Sequence, residues 1–120
     1  MSGVESLAVM AEALKRAVDG AAQARAWLLG NGSRDRHAVG AASVNFMMLM
    51  GYLCGGWIMG QAAHKARQLL DAGAGDGVFL QAKLITAQFY FEHLLPRTSA
   101  YLAAIRAGSG SMMALATEQF

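Results

Sequence analysis

The sequence predicts an all-α fold, an antiparallel up-and-down bundle of three long helices in a single domain over residues 1–120. Alanine occupies 24 of the 120 positions and β-branched residues are few, which favours helices over strands. In three long segments, apolar residues recur at alternating three- and four-residue steps. Short glycine-rich stretches separate these segments, so sequential helices must run antiparallel.

The first predicted helix covers residues 3–29. The side chains of its apolar stripe are Leu7, Met10 or Ala11, Leu14, Ala17 or Val18, Ala21 and Leu28. The run Gly30-Asn31-Gly32 predicts the end of this helix, because glycine adopts a positive φ at little cost. We therefore expect a turn at residues 30–33, with Ser33 capping the next helix.

The second predicted helix covers residues 34–70, and residues 38–63 contain no charged side chain. Such a segment is long enough to span a bilayer. Basic residues flank it on both sides, so the charge asymmetry that orients a membrane helix is missing. We expect instead the central helix of a soluble bundle, covered on every side by neighbouring helices or by another subunit.

Small residues are concentrated in the middle of this second helix. Gly51 with Gly55, and Gly56 with Gly60, lie one helical turn apart and predict one tight helix crossing. Four glycines in ten residues also weaken the helix, which allows a kink there. Cys54 has no second cysteine to pair with, and we expect a reduced, buried thiol.

Residues 71–77 are a turn by composition, and Asp76 is predicted to cap a third helix that begins near Gly77. The apolar stripe of this helix is Leu80, Leu84, Ala87, Phe91, Leu94 or Leu95, Thr98, Leu102 and Ile105. Pro96 interrupts the stripe without changing its phase, which predicts either a kink or a helix restart. Glycines at 108 and 110 predict the helix end, and residues 112–120 an apolar tail folded onto the bundle or a partner.

The residues expected in the core or at an interface lie in the second and third helices: Met47, Met50, Gly56, Trp57, Gly60, Phe89, Phe91 and Leu95. Leu14, Leu28, Leu84 and Leu102 complete the set expected to pack. The aromatic run at residues 89–91 is typical of a core or a subunit interface. The lining of an acyl pocket is the alternative interpretation.

The polar residues predict no catalytic, cofactor or metal site. The net charge is +2 and no run of four basic residues occurs, which argues against a nucleic-acid partner. His37, His64 and His93 are far apart in sequence, and no Glu-x-x-His occurs, which argues against zinc, haem and di-iron sites. Residues 1–11 include Glu5 and show no secretory signal, so we expect a cytoplasmic protein.

Residues 81–120 resemble the end of the extra C-terminal domain found on a large subgroup of bacterial acyl-CoA dehydrogenases. The matching features are Ala82-Lys83-Leu84, the aromatic run at 89–91, Leu95-Pro96-Arg97-Thr98, Ile105-Arg106-Ala107-Gly108, Ser111-Met112-Met113-Ala114-Leu115 and the closing Phe120. The middle helix is similar too, with Tyr52-Leu53 and Gly56-Trp57 leading into Ala62-Ala63. Before Val44 only the amphipathic pattern matches.

The resemblance implies a parent enzyme that oxidises an acyl-CoA thioester with FAD. In that family the FAD site and the catalytic glutamate lie upstream of this domain, so this chain itself would carry neither. The implied partners are the upstream dehydrogenase core, a second copy of the chain, or both. A free-standing helical homodimer is the alternative, followed by a small membrane protein, and the sequence leaves open whether the chain is a piece of an enzyme or is separately encoded.

Overall fold

The computed structural model describes the backbone of residues 3–120 and the side chains from residue 5 onward. Its elements are α1 (Gly3–Asn31), α2 (Ala38–Asp71), α3 (Gly77–Phe89), a π-helical turn (Tyr90–Leu94), α4 (Arg97–Arg106) and a short 3₁₀ turn (Thr117–Gln119). No strand occurs in this described part of the chain. α3, the π-turn and α4 form one interrupted rod, so the predicted all-α bundle of three long rods is confirmed.

α2 is the central rod of the bundle. It packs against α1, α3, the π-turn and α4, and α1 also packs against α4. The molecule measures 66 × 29 × 20 Å, and its radius of gyration of 19.0 Å exceeds the roughly 14 Å of a compact domain of this length. The bundle is therefore a long plate that is about two helix diameters thick in its shortest dimension.

The core consists of two clusters along the plate. One contains Met10, Ala17, Ala63, Ala87, Phe91 and Leu95, and the other contains Ala21, Ala24, Ala42, Leu49 and Ile105. Leu14 and Leu84 pack against the first cluster, and Leu28, Met50 and Leu102 against the second, as predicted. Because six of these eleven positions are alanine, the helices lie close together and the core has little depth.

The end of α1 differs from the prediction. The helix continues through Gly30 to Asn31, and neither Gly30 nor Gly32 has a positive φ. Instead the Asn31 side-chain amide donates a hydrogen bond of 2.8 Å to the Trp27 carbonyl. This bond pairs a carbonyl in the last turn, so the helix ends there without a left-handed glycine.

The start of α2 also differs, because the helix begins at Ala38 and Ser33 does not cap it. Asp35 stabilises the connection: its Oδ1 accepts the His37 N–H at 3.0 Å. Its Oδ2 accepts the Ser109 hydroxyl at 2.6 Å and the Ser109 N–H at 3.3 Å. Asp35 therefore joins the α1–α2 connection to the residues that follow α4.

The turn between α2 and α3 is confirmed. Gly73 and Gly75 adopt φ values of +67° and +76°, which other residues rarely adopt. Asp76 caps α3 as predicted, since its Oδ1 accepts the N–H groups of Val78 at 3.0 Å and Phe79 at 3.3 Å. Two donors at the start of α3 are thereby paired.

At Pro96 the helix restarts. Proline lacks an N–H and its ring would collide with the carbonyl four residues earlier. Just before it the helix widens, and the Leu95 N–H donates to the Tyr90 carbonyl five residues back, at 2.9 Å. Phe91, Leu95 and Thr98 are all buried, so the apolar stripe keeps its phase through the interruption. Of the two leucines that the pattern left open, Leu95 is the buried one and Leu94 is only partly buried.

Gly56 and Gly60 lie where α2 packs against Leu95 and Phe91 of the third rod. A β-carbon added at Gly56 would lie 3.0 Å from Leu95 Cδ1 and 3.4 Å from Leu14 Cδ1. One added at Gly60 would lie 3.6 Å from Phe91 Cζ. These glycines therefore make room for large side chains of the neighbouring rods, rather than for the close backbone approach that the spacing predicted, and α2 remains one unbroken helix.

The other glycine pair is divided between two environments. A β-carbon at Gly55 would collide with the Tyr90 side chain, whose hydroxyl donates a 2.6 Å hydrogen bond to the Tyr52 carbonyl. Burial raises the pKa of the Tyr90 phenol above its usual value. At Gly51 nothing lies within 4 Å of an added β-carbon, so no contact in the described chain requires a glycine there.

The C-terminal tail is not folded onto the bundle, contrary to one of the two outcomes expected. Gly108 adopts a φ of +75° after α4, where the chain turns away. Met112, Met113 and Leu115 are each more than half exposed, and Phe120 is 91% exposed. Contact of the tail with a partner stays a prediction.

Gly56→Leu tests the packing of α2 against the third rod. The larger side chain must displace Leu95 and Leu14, and we expect a net loss of about 1–3 kcal/mol in the free energy of unfolding. The matched control is Gly51→Leu, which adds the same side chain where there is open space and should hold or raise stability through helix propensity. Urea unfolding followed by circular dichroism at low micromolar concentration measures both, and equal stabilities would contradict the assignment.

Asp35→Asn tests the bridge to Ser109. Hydrogen bonds from the Ser109 side chain and then the His37 backbone lower the pKa of Asp35 below its usual value. A lowered pKa means that the ionised carboxylate stabilises the fold fully above about pH 4 and that this stabilisation is lost as the pH falls through the folded-state pKa. We expect Asp35→Asn to lower Tm at pH 6 and the difference from wild type to shrink towards pH 3. Asp19→Asn, at an exposed position of α1, should show no such convergence.

Candidate interaction surfaces

One face of α2 is exposed to solvent along most of the helix. Val44, Met47, Gly51, Cys54 and Ile58 follow one another at alternating three- and four-residue steps, and all five are exposed. We call these five residues the α2 seam. Such spacing places them in one line along the helix, and it is the spacing with which one helix packs against another.

The exposure of the seam overturns the expectation of a buried Cys54 and leaves coverage by another subunit as the remaining alternative for α2. In the most apolar 18-residue window of α2 only 17% of the residues are buried, so α2 is not covered on every side within this chain. Cys54 is exposed rather than buried. The reason is geometric, because α1 and the third rod, which also contact each other, both pack against the buried stripe of α2 and leave the opposite side free.

Within the described residues, α2 is the one helix long and apolar enough to cross a membrane by length and composition. The same property is found in core helices of soluble proteins. Coverage by another subunit, which the sequence also suggested, stays a prediction.

α3 carries a second exposed apolar line. Val78, Ala82, Ile85 and Phe89 lie at steps of four, three and four residues, and Val78 is 84% exposed. We call these four residues the α3 face. Since α3 packs directly against α2, the plate presents apolar side chains on two adjacent helices.

A hollow of about 370 Å³ lies between the α2 seam and the π-turn. It is lined by Met47, Met48, Gly51, Tyr52 and Tyr90. The rim is held by Tyr52, whose hydroxyl accepts a 3.0 Å hydrogen bond from Arg97 Nη1 and whose ring lies 5.9 Å from that of Tyr101.

A larger groove of about 460 Å³ lies between α1 and α2. It is lined by Leu7, Met10, Ala11 and Leu14 of α1, Trp57, Gly60, Gln61 and His64 of α2, and Phe91 of the π-turn. Both helices contribute positions i, i+3, i+4 and i+7, which is the face a helix turns towards a neighbour. Gly60 and Ala11 are too small to fill the space between α1 and α2, which leaves the groove open.

The structure divides the predicted core or interface residues into two groups. Gly56, Phe91 and Leu95 are buried, while Met50 and Gly60 are partly buried. Met47, Trp57 and Phe89 are 62%, 56% and 54% exposed, so they are not core residues of this chain. Met47 belongs to the α2 seam, Phe89 to the α3 face and Trp57 to the groove, where a role at an interface stays a prediction.

The sequence reasoning missed the polar contacts between distant residues, of which two are examples. Asp35 meets Ser109 across 74 residues and Arg97 meets Tyr52 across 45. Neither pair leaves a local signal in the sequence, because only the packing of distant helices brings the partners together.

In the described part of the chain no three His, Cys, Asp or Glu side chains lie close enough together to hold a metal ion. His64 and His93 are exposed on their helices, as expected. The residues that line the groove and form the two apolar faces are mainly apolar, which suits these surfaces to packing and binding.

These features define a small all-α domain whose distinguishing property is uncovered apolar surface. A family model described as acetyl-CoA dehydrogenase C-terminal like matches residues 2–116, and the chain belongs to this family. It is also 41% identical over 73 residues to a 3-methylmercaptopropionyl-CoA dehydrogenase from Ruegeria pomeroyi. That match covers 61% of this chain and 12% of the relative. The resemblance seen in the sequence is thereby confirmed.

Proposed function

We propose that this chain is the non-catalytic C-terminal packing domain of an FAD-dependent enzyme resembling the acyl-CoA dehydrogenases. Its role is to pack its exposed apolar surface against the dehydrogenase core of that enzyme or against a second copy of itself. The observation that carries the proposal is the exposed apolar surface formed by the α2 seam and the α3 face. An exposed apolar surface of this extent on a small domain marks a protein contact.

The charge distribution supports a contact made mainly by burial. Residues 38–63 contain no charged side chain, and the α3 face contains none either. A partner that packs there loses no hydration of ions, so the whole apolar area contributes to association. The 3-4 spacing of the seam suits a helix of the partner.

The groove does not fit FAD. The dinucleotide needs donors or cations for its diphosphate, such as a helix N-terminus or arginine. The groove is lined by residues 7–14 of α1, residues 57–64 of α2 and Phe91, and no lysine or arginine lines it. We therefore place the FAD site and its chemistry in the dehydrogenase core of the parent enzyme.

A free-standing homodimeric interaction protein is the second candidate. It would use the same α2 seam, because an uncharged surface is complementary to its own copy. A small membrane protein is the third, with α2 as its span.

Light scattering behind a sizing column, on the purified chain in detergent-free buffer, is the first test. We expect self-association that rises with concentration, because the seam has no other partner in the isolated chain, and no flavin absorbance. A strict monomer at high micromolar concentration would contradict the packing role. Recovery only in detergent would favour the membrane candidate, and a flavin-coloured species would overturn the placement of the cofactor.

Ile58→Glu tests whether the seam makes this contact. Placing a charge among apolar contacts should weaken self-association at least tenfold, since a buried carboxylate without a partner costs several kcal/mol. Val18→Glu is the matched control, because Val18 is similarly exposed, at 49% against 59%, but lies on α1. Equal losses in the two variants would show that association does not use the seam.

A further inference from the structure

We propose that residues 112–120, which we call the tail, dock into the groove between α1 and α2 of a second copy of this chain, and that the two copies exchange tails reciprocally. The proposal rests on the packing role in its second-copy form and adds an antiparallel arrangement to it. It uses surfaces that the packing role leaves unassigned, because neither the groove nor the tail shares a residue with the α2 seam or the α3 face.

The tail has no cover within its own chain. All nine of its residues are exposed, although its four largest side chains are apolar: Met112, Met113, Leu115 and Phe120. Several exposed apolar side chains on one short segment mark a contact with another molecule. The tail is therefore a ligand in search of an apolar surface, and the groove is such a surface.

The charges of the groove and the tail are complementary. None of the lining residues of the groove is acidic. Lys15 and Lys65 are exposed and lie one helical turn from Ala11 and Gln61 of the lining, so a basic residue flanks the groove on each helix. Glu118 is the only charged residue of the tail. Docking of the tail thus brings an acidic segment between two basic rims.

The groove of its own chain is out of reach for the methionines of the tail. A β-carbon added at Gly108, where the chain leaves α4, would lie 3.8 Å from Trp27. Ala11, in the middle of the groove, lies sixteen residues before Trp27 in α1, about 24 Å away at 1.5 Å per residue. The backbone of Met113, five residues after Gly108, reaches at most roughly 17 Å even when fully extended. A tail that fills the groove therefore belongs to another copy.

An antiparallel pair of copies brings each tail to the groove of the other. When two α2 seams pack antiparallel about Gly51, the middle residue of the seam, Ala38 of one copy faces His64 of the other, since each lies thirteen residues from Gly51. Asp35, just before Ala38, accepts a 2.6 Å hydrogen bond from the hydroxyl of Ser109, at the root of the tail. His64 lines the groove. Such a two-fold pair fills both grooves and closes without further copies.

Titration of a synthetic peptide of residues 109–120 into the purified chain, at a concentration where the chain is monomeric, tests the docking. We expect one peptide to bind per chain and to change the fluorescence of Trp57, which lines the groove. Replacing the four large apolar residues of the peptide by serine should weaken binding by about tenfold or more, since they supply the buried surface. Absence of saturable binding would overturn the proposal.

Ala11→Phe locates the peptide. Ala11 is exposed at the rim, so a larger side chain fills the groove without disturbing the core, and we expect binding to weaken by about tenfold or more. Ala22→Phe adds the same side chain at an exposed position of α1 outside the groove and should leave Kd nearly unchanged. Equal effects of the two variants, or several peptides per chain, would place the peptide on the general apolar surface and contradict the assignment.

Cysteine cross-linking shows whether docking joins two copies. In a Cys54→Ser chain, Ala11→Cys and Ala114→Cys place one thiol in the groove and one in the tail. Oxidation should give disulfide-linked dimers. Cyclised monomers, a ladder of longer polymers, or no more cross-linking than in a chain with Ala22→Cys and Ala114→Cys would each overturn the reciprocal exchange.

Ile58→Glu separates this proposal from the packing role. The peptide does not contact the seam, so its binding should be the same in this variant as in the wild-type chain. Peptide binding together with self-association that Ile58→Glu leaves unchanged would mean that the seam fails and the docking of the tail stands. Loss of self-association in Ile58→Glu without any peptide binding would mean that the docking alone fails.

Discussion

The packing of α2 against the rod formed by α3, the π-turn and α4 is the contact on which the rest of the fold depends. Gly55, Gly56 and Gly60 remove side chains from the surface of α2 where that rod lies. Tyr90 and Leu95 occupy the space so created, and Tyr90 adds a hydrogen bond to the α2 backbone. Because glycine weakens a helix by about 1 kcal/mol relative to alanine, α2 gives up local stability for tertiary packing.

The π-turn converts a potential break at Pro96 into a continuation of the same rod. Proline has no N–H to donate, and the wider π-helical turn accommodates it without breaking the rod. Phe91 and Leu95 remain buried. α4 therefore continues along the same side of the plate and packs against α1. At its far end Ser109 reaches Asp35, which ties the last rod to the connection between the first two.

The sequence was sufficient for the rods, their order and most buried positions, because these follow from apolar periodicity and turn chemistry. It predicted the Asp76 cap and the buried Leu95, both set by neighbours in sequence. It was wrong for Cys54, and it did not separate core from surface for Met47 and Trp57, since periodicity identifies the apolar side chains of a helix but not which neighbour covers them. The start of α2 at residue 38 was missed because Asp35, not Ser33, stabilises that connection.

The uncovered surface is a consequence of the architecture. Three rods in a plate about 20 Å thick cannot surround their central member, whereas a fourth element on the exposed side of α2 could. A chain that depended only on itself would have little reason to keep residues 38–63 free of charge, because exposed helix positions accept charged residues at small cost. Solubility would then improve without loss of packing. The exposed, uncharged side of α2 is therefore where a fourth element would pack under the packing role proposed above.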